Sequence, residues 1–96
     1  MTHSASIEKK EHQFTVSGEL NFFSVPHLEK KSALLFKNEK ELPIDLSGVT
    51  ASNSAGLALL IEWIRYAKKH NKHISLNHIP KQLMSIAEVS GVGAII

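Results

Sequence analysis

The chain has 96 residues, 43% hydrophobic and 21% charged, with a formal net charge of +2 and no cysteine. That length suits one domain with a two-layer core and argues against a second domain or a large enclosed substrate cavity, while the lack of cysteine removes disulfides and thiolate metal sites. The charge is too small and too spread out for a nucleic-acid surface, the N-terminal residues lack the apolar core of a secretory signal, and no run approaches the roughly 18 apolar residues of a membrane span, so a cytoplasmic domain is expected.

In chain order, Ala5–Lys9 and Gln13–Glu19 alternate in part and predict a β-hairpin, with Phe14 and Val16 on one face of its second strand. Residues 1–4 are expected to be flexible. Ser24 as N-cap and Pro26 in the first turn predict a helix from Val25 to Lys37, whose core face takes Val25, Leu28, Leu35 and either Ala33 or Leu34. Leu42–Leu46 is a short apolar strand, closed by Ser47-Gly48. A long helix starts within "NSAGL" (53–57) and runs to His70. Residues Ile74 and Leu76 mark another strand, and Pro80 opens a last helix stopped by Gly91. The tail "GVGAII" offers a closing strand. The order β-β-α-β-α-β-α therefore predicts a single α/β domain, a small mixed β-sheet covered by three to four helices through right-handed crossovers.

Chemistry-bearing patterns are few. "NSAGLALL" (53–60) sits at the carboxyl end of a strand, where open α/β sheets keep their working residues. Either Asn53 or Ser54 can cap the following helix, Gly56 admits close backbone approach, and chemistry alone favours a plain cap for Ser54 over a phosphate acceptor or a partner contact. Along that helix Leu57, Leu60, Trp63, Ile64 and Ala67 form a core stripe. Leu59 and Tyr66 on one flank and Ile61 on the other widen the apolar arc, so a flank is left for the third helix or for another protein to cover. Glu19 and Asp45 are the carboxylates that strand ends could pair, and Ser54 has no evident histidine base; the checklist for catalysis is not met. His70, His73 and His78 straddle a helix end and a strand without ligand spacing, so no metal site is expected. Lys68, Lys69, His70 and Lys72 place cations at a helix C-terminus, as the macrodipole favours; they also suit anionic headgroups or an acidic partner. Gly91-Val92-Gly93 reads as a helix stop rather than half of a dinucleotide fingerprint.

Beyond these patterns, "VSGEL", "SVPHLEKK", "LPIDLSGV" and "SNSAGLALLIEWIRYAKKHNKHISLNHI" resemble the STAS domain, from Phe14 to Val92. This family includes anti-sigma-factor antagonists and the MlaB-type cytosolic subunit of the Mla phospholipid ABC transporter. Phosphorylation-switched members carry a hydroxyl immediately before the motif glycine, where this chain has Ala55. Two acids of that pattern are replaced by Asn21 and Asn53, which removes charges that would serve a metal-bound nucleotide or a kinase. The transporter subunit is the better match, because it keeps its hydroxyl residue one place earlier, at Ser54. The resemblance implies a non-catalytic, cofactor-free subunit that binds the MlaF-like ATPase of the transporter with its permease. It would thereby lie peripheral to the inner membrane and support outer-membrane lipid asymmetry. Partner contacts are expected at Asn53, Ser54, Ala55, Leu59 and Tyr66. The alternative implied partner is an anti-sigma-factor kinase, with the chain acting as a phosphorylation-controlled switch.

Overall fold

The computed structural model describes residues 5–96. It contains β1 (Ala5–Lys10), β2 (Gln13–Leu20), α1 (Val25–Phe36), β3 (Glu41–Ser52), α2 (Ser54–Lys69), β4 (His73–Asn77) and α3 (Lys81–Val89). The sheet has the order β1-β2-β3-β4; β1 and β2 form an antiparallel hairpin, whereas β2, β3 and β4 are parallel. Two successive right-handed crossovers in one direction put α1 and α2 on the same side of the sheet. The strands register this as alternation: Ile7, Phe14, Val16, Leu42, Ile44 and Leu46 are buried, whereas Ser6, Thr15, Ser17, Pro43 and Asp45 lie on a polar face at least partly open to solvent. The expectation about residues 1–4 falls outside the described residues.

Three expectations from sequence need correction. First, β3 does not stop at Ser47-Gly48 but continues to Ser52. A Cβ at Gly48 would stand 2.9 Å from both Ser17 Cβ and Val16 O, so its absence lets the chain run on against β2 through a shifted register. Second, residues 91–96 form turns and not a strand. Gly91 has φ 81°, its N–H donates to Glu88 O at 3.1 Å, and Val92 N–H donates to Ala87 O at 2.9 Å, which folds the tail back onto the end of α3 in a Schellman motif.

Third, the buried face of α1 is Val25, Leu28, Ser32 and Phe36; Leu35 is only half-buried, and Ala33 and Leu34 are exposed. A serine fits this face because it has a buried partner: Trp63 Nε1 donates to Ser32 Oγ at 2.9 Å, and that hydroxyl donates to Glu29 O at 3.0 Å. Phe36, one turn on, packs edge-on against Phe14 and Trp63, with ring centroids 4.9 and 5.8 Å apart. The helix accordingly ends on Phe36, one residue short of Lys37.

The C-terminus of α1 carries no basic residue in its last turn, and the cation that serves it comes from elsewhere. Asn71 takes a left-handed φ of 56°, and Lys72 N–H donates to Ala67 O at 2.8 Å, closing α2 with a second Schellman motif. Lys72 Nζ then donates to Phe36 O, Lys37 O and Glu39 O at 3.0, 3.2 and 2.6 Å, and lies 5.8 Å from the centroid of the Tyr66 ring. An ammonium on three carbonyls at a helix C-terminus is favoured by hydrogen bonding and by the macrodipole. Lys72 therefore ties α1 to α2 and is not part of a free cationic cluster.

Ser32→Ala leaves the buried Trp63 N–H without its acceptor and is expected to lower stability by about 1–3 kcal/mol in denaturant unfolding. Lys72→Met, which keeps the stem and removes the charge, is expected to cost about 1–3 kcal/mol in the same measurement because three carbonyls lose their donor.

Candidate interaction site

The site is built where β2 and β3 end side by side. Leu20 pairs with Ser52, and Asn53 N–H donates to Leu20 O at 3.1 Å, so the two chain exits, Asn21 and Asn53, emerge together. Each asparagine then caps the turn it begins. Asn53 Oδ1 accepts from Ala55 N–H at 2.8 Å, which settles the cap of α2 on Asn53 and leaves Ser54 outside it. Asn21 Oδ1 accepts from Phe23 and Ser24 N–H, both at 2.9 Å, and Asn21 O accepts from Val25 N–H at 3.0 Å. A helical turn thus precedes α1. Ser24, the expected cap, is buried and does something else: its hydroxyl donates to Glu19 O at 2.7 Å and accepts from Asn21 N–H at 3.0 Å, knotting the turn to the end of β2.

Close packing fixes the direction of α2. A Cβ on Gly56 would collide with Ser52 Oγ and approach Leu20 Cβ to 3.1 Å, so the first turn of the helix sits directly on the strand ends. From the other side, Gln82 Oε1 on α3 accepts from Ser52 N–H at 3.1 Å. The start of α2 is thereby held by three elements.

The five expected contact residues divide. Asn53 and Ser54 are exposed at this rigid corner, and Ser54 presents its hydroxyl to solvent with no role in the cap. Ala55 is buried and carries no hydroxyl. Leu59 is fully buried in the hydrophobic core and offers nothing to a partner. The wide apolar arc of α2 is thus covered internally on the Leu59 side. Tyr66 is half-buried at the other end of the helix, 12 residues or ~18 Å from Ser54, with its ring 6.0 Å from Phe36 and 4.5 Å from His70. It belongs to the Lys72 cluster.

Two residues that pattern reasoning passed over lie on the turn between this corner and α1. Phe22 is 67% and Phe23 92% exposed, on a turn pinned by Asn21 and Ser24. The signal for them was an aromatic doublet in a polar connection, outside any periodic stretch. The phosphate reading of the helix start loses ground, because Ala55 N–H is taken by Asn53 Oδ1 and Gly56 N–H by Asn53 O at 3.0 Å.

The candidate groups for catalysis do not assemble. Asp45 pairs with Thr15 and Glu19 with Ala51, so the two carboxylates are four residues, ~13 Å, apart along the sheet. His70, His73 and His78 are exposed and dispersed, and among the described residues no group of metal-ligating side chains is present. On the open face of the sheet, Asp45 stands between two partners: Oδ1 lies 2.9 Å from His78 Nδ1 and Oδ2 accepts from Ser47 Oγ at 3.1 Å. The order acid-between-serine-and-histidine leaves Ser47 without a base, so the trio does not activate a nucleophile. Its effect is on the acid. The Ser47 backbone N–H, at 3.0 Å from Oδ1, and then the His78 side chain hold the Asp45 carboxyl below its ordinary range.

A carboxyl with a lowered folded-state pKa stabilises the fold above the ordinary carboxylate range near pH 4, and this contribution disappears as the pH falls through the lowered value. Asp45→Asn is therefore expected to be less stable than the parent by about 1 kcal/mol at pH 7. Denaturant unfolding measured from pH 7 downward should show the difference shrinking below about pH 4.

Comparison with known proteins fits this geometry. A family model described as "Mlab, STAS domain" matches residues 3–96. The chain is 26% identical over 84 residues to the anti-sigma-B factor antagonist of Bacillus subtilis (strain 168), covering 88% of this chain and 77% of that protein. Its fold is similar to that of the anti-sigma factor antagonist SpoIIAA in its unphosphorylated form, with a TM-score of 0.71 at 15% identity over 94% of this chain and 83% of that one. With a model of the family matching nearly every residue, the chain belongs to the STAS domain family.

Proposed function

We propose that this chain is a constitutive, non-catalytic STAS subunit of an Mla-type phospholipid ABC transporter that docks on the cytosolic ATPase through the corner at the start of α2. The observation that carries the reading is the placement of hydroxyls there. Ser54 is exposed, and the position that carries the phosphorylated hydroxyl in a switched family member is Ala55, which has no hydroxyl. The flanking amides support the same reading. Asn21 and Asn53 spend their side-chain oxygens on backbone N–H groups and bring no negative charge to the corner. A permanent contact needs a rigid, preorganised surface, and the corner is held by Gly56, Gln82 and Ser24. Asn53, Ser54 and Phe22 form its face, with Phe22 as the apolar anchor of the kind that dominates binding energy. The label of the matching family model points the same way. Association with the inner membrane would then follow from the complex, since no helix among the described residues is long and apolar enough to cross a bilayer.

A second reading is favoured by the names of the relatives, both anti-sigma factor antagonists. In that reading the same corner binds an anti-sigma factor kinase, and Ser54 is its phosphorylation site.

Ser54→Arg separates them when the tagged chain is purified from its own cells and its companions are identified. The variant should remain folded, because Ser54 is outside the cap and exposed. The expected outcome is recovery of an ABC ATPase and its permease by the parent and a loss of at least tenfold with the variant, the effect of about 1.4 kcal/mol at a packed contact. Recovery of a kinase or anti-sigma factor, or stoichiometric phosphate on Ser54, overturns the transporter reading in favour of the switch.

A further inference from the structure

The outer face of α1 is a second surface, distinct from the corner and independent of the reading above. Because Asn21 starts the helical turn, Phe23 falls in phase with α1, and Phe23, His27, Lys30 and Leu34 follow one another at i, i+4, i+7 and i+11 along a single outward ridge. The ridge runs ~16 Å along the helix. Its two ends are large apolar side chains in water, Phe23 at 92% and Leu34 at 77% exposure, and the residues between them are basic. Neither apolar residue supports the core. Leu34 lies opposite Val25, Leu28, Ser32 and Phe36 on the wheel, and Phe23 is held outward by the Asn21 cap.

Charge decides what such a ridge fits. From Val25 to Lys37 the chain carries three lysines against the single acid Glu29, which falls toward the buried side of the wheel. Alongside, the outward row of α2 is Ala58, Glu62, Arg65 and Lys69, and its one acid is already engaged by Arg65 at 3.2 Å. We infer that this face of α1 adsorbs to an anionic bilayer surface, with Phe23 and Leu34 entering the headgroup boundary and Lys30 with its lysine neighbours meeting the lipid phosphates. Apolar residues set among cations on one helix face are the pattern of interfacial adsorption, in which each lysine near the surface adds to the attraction. The area is small, so attachment is reversible and salt-sensitive. This contact presents the helix layer to the membrane and leaves the open polar face of the sheet in water.

The test is sedimentation of the full chain with phosphatidylcholine vesicles, pure or containing about one-third phosphatidylglycerol, at low and at physiological salt. Binding at least tenfold stronger to the anionic vesicles, weakening with salt, is expected. The double variant Phe23→Ser/Leu34→Ser should lose at least fivefold while its circular dichroism and unfolding midpoint stay at or above the parent's, since both side chains are exposed. Ser54→Gln, which adds no charge, should sediment as the parent does, which separates this surface from the docking corner. Equal binding to both vesicle types, no binding at low salt, or an unaffected double variant overturns the inference. Failure on vesicles together with variant-sensitive binding to polyglutamate also overturns it, and reassigns the ridge to an acidic protein segment.

Discussion

At Gly48, β3 runs beside β2 with no room for a side chain, and the upper half of the domain depends on it. With no side chain there, β3 slides past Ser17 and Val16 and continues for four more residues to Ser52, beyond the point where its apolar alternation ends. Those four residues deliver Asn53 beside Leu20, seat Gly56 on the strand ends and set α2 on its course. A Cβ at 2.9 Å from backbone and side chain alike could be relieved only by moving one strand off the other. The corner formed by Asn21 and Asn53 would move with it. A glycine five residues before Asn53 thus positions the corner.

The lower half depends on a cation instead. α1 has nothing of its own at its C-terminus, and Lys72, aimed by the Schellman turn that ends α2, supplies the missing donor to three carbonyls. Because α1 and α2 both run back along the same sheet face, their C-termini meet, and a single ammonium can close both the helix end and the gap between layers. Trp63 and Ser32 perform the equivalent task inside, joining α2 to α1 by a buried hydrogen bond where hydrophobic packing would give affinity without direction.

What the sequence made legible was the part governed by local periodicity. The hairpin, the α/β order and the long second helix follow from alternation and capping residues, and the described elements agree with them. What it hid depends on partners distant in the chain. Ser32 reads as a polar residue that should face water until Trp63, 31 positions on, is seen to need its oxygen. Leu59 reads as surplus on a helical wheel, whereas the fold buries it completely in the core. Ser47-Gly48 reads as a strand end, because a local rule for turns cannot know that Ser17 lies alongside. The cap of α2 at Asn53 is legible because a cap signal is local, while a helical wheel carries no information about which end of the helix Tyr66 occupies.

The two exposed surfaces differ in how they are built, and the difference bears on what each can do. The corner is over-determined: Asn21, Asn53, Ser24, Ser52 and Gln82 all hold backbone there, so little entropy remains to be lost when a partner arrives. Such a surface suits a specific, lasting contact. The α1 ridge is held as backbone but free as side chains, and Phe23, Lys30 and Leu34 retain their rotamers in solvent. Fluid contacts that need no fixed geometry, such as a headgroup layer, tolerate that freedom. Adjacent placement of the two, with Phe22 on the corner and Phe23 on the ridge, means one pinned turn serves both. A protein held by its corner on an ATPase could therefore keep its helix layer turned toward the membrane without any further joint.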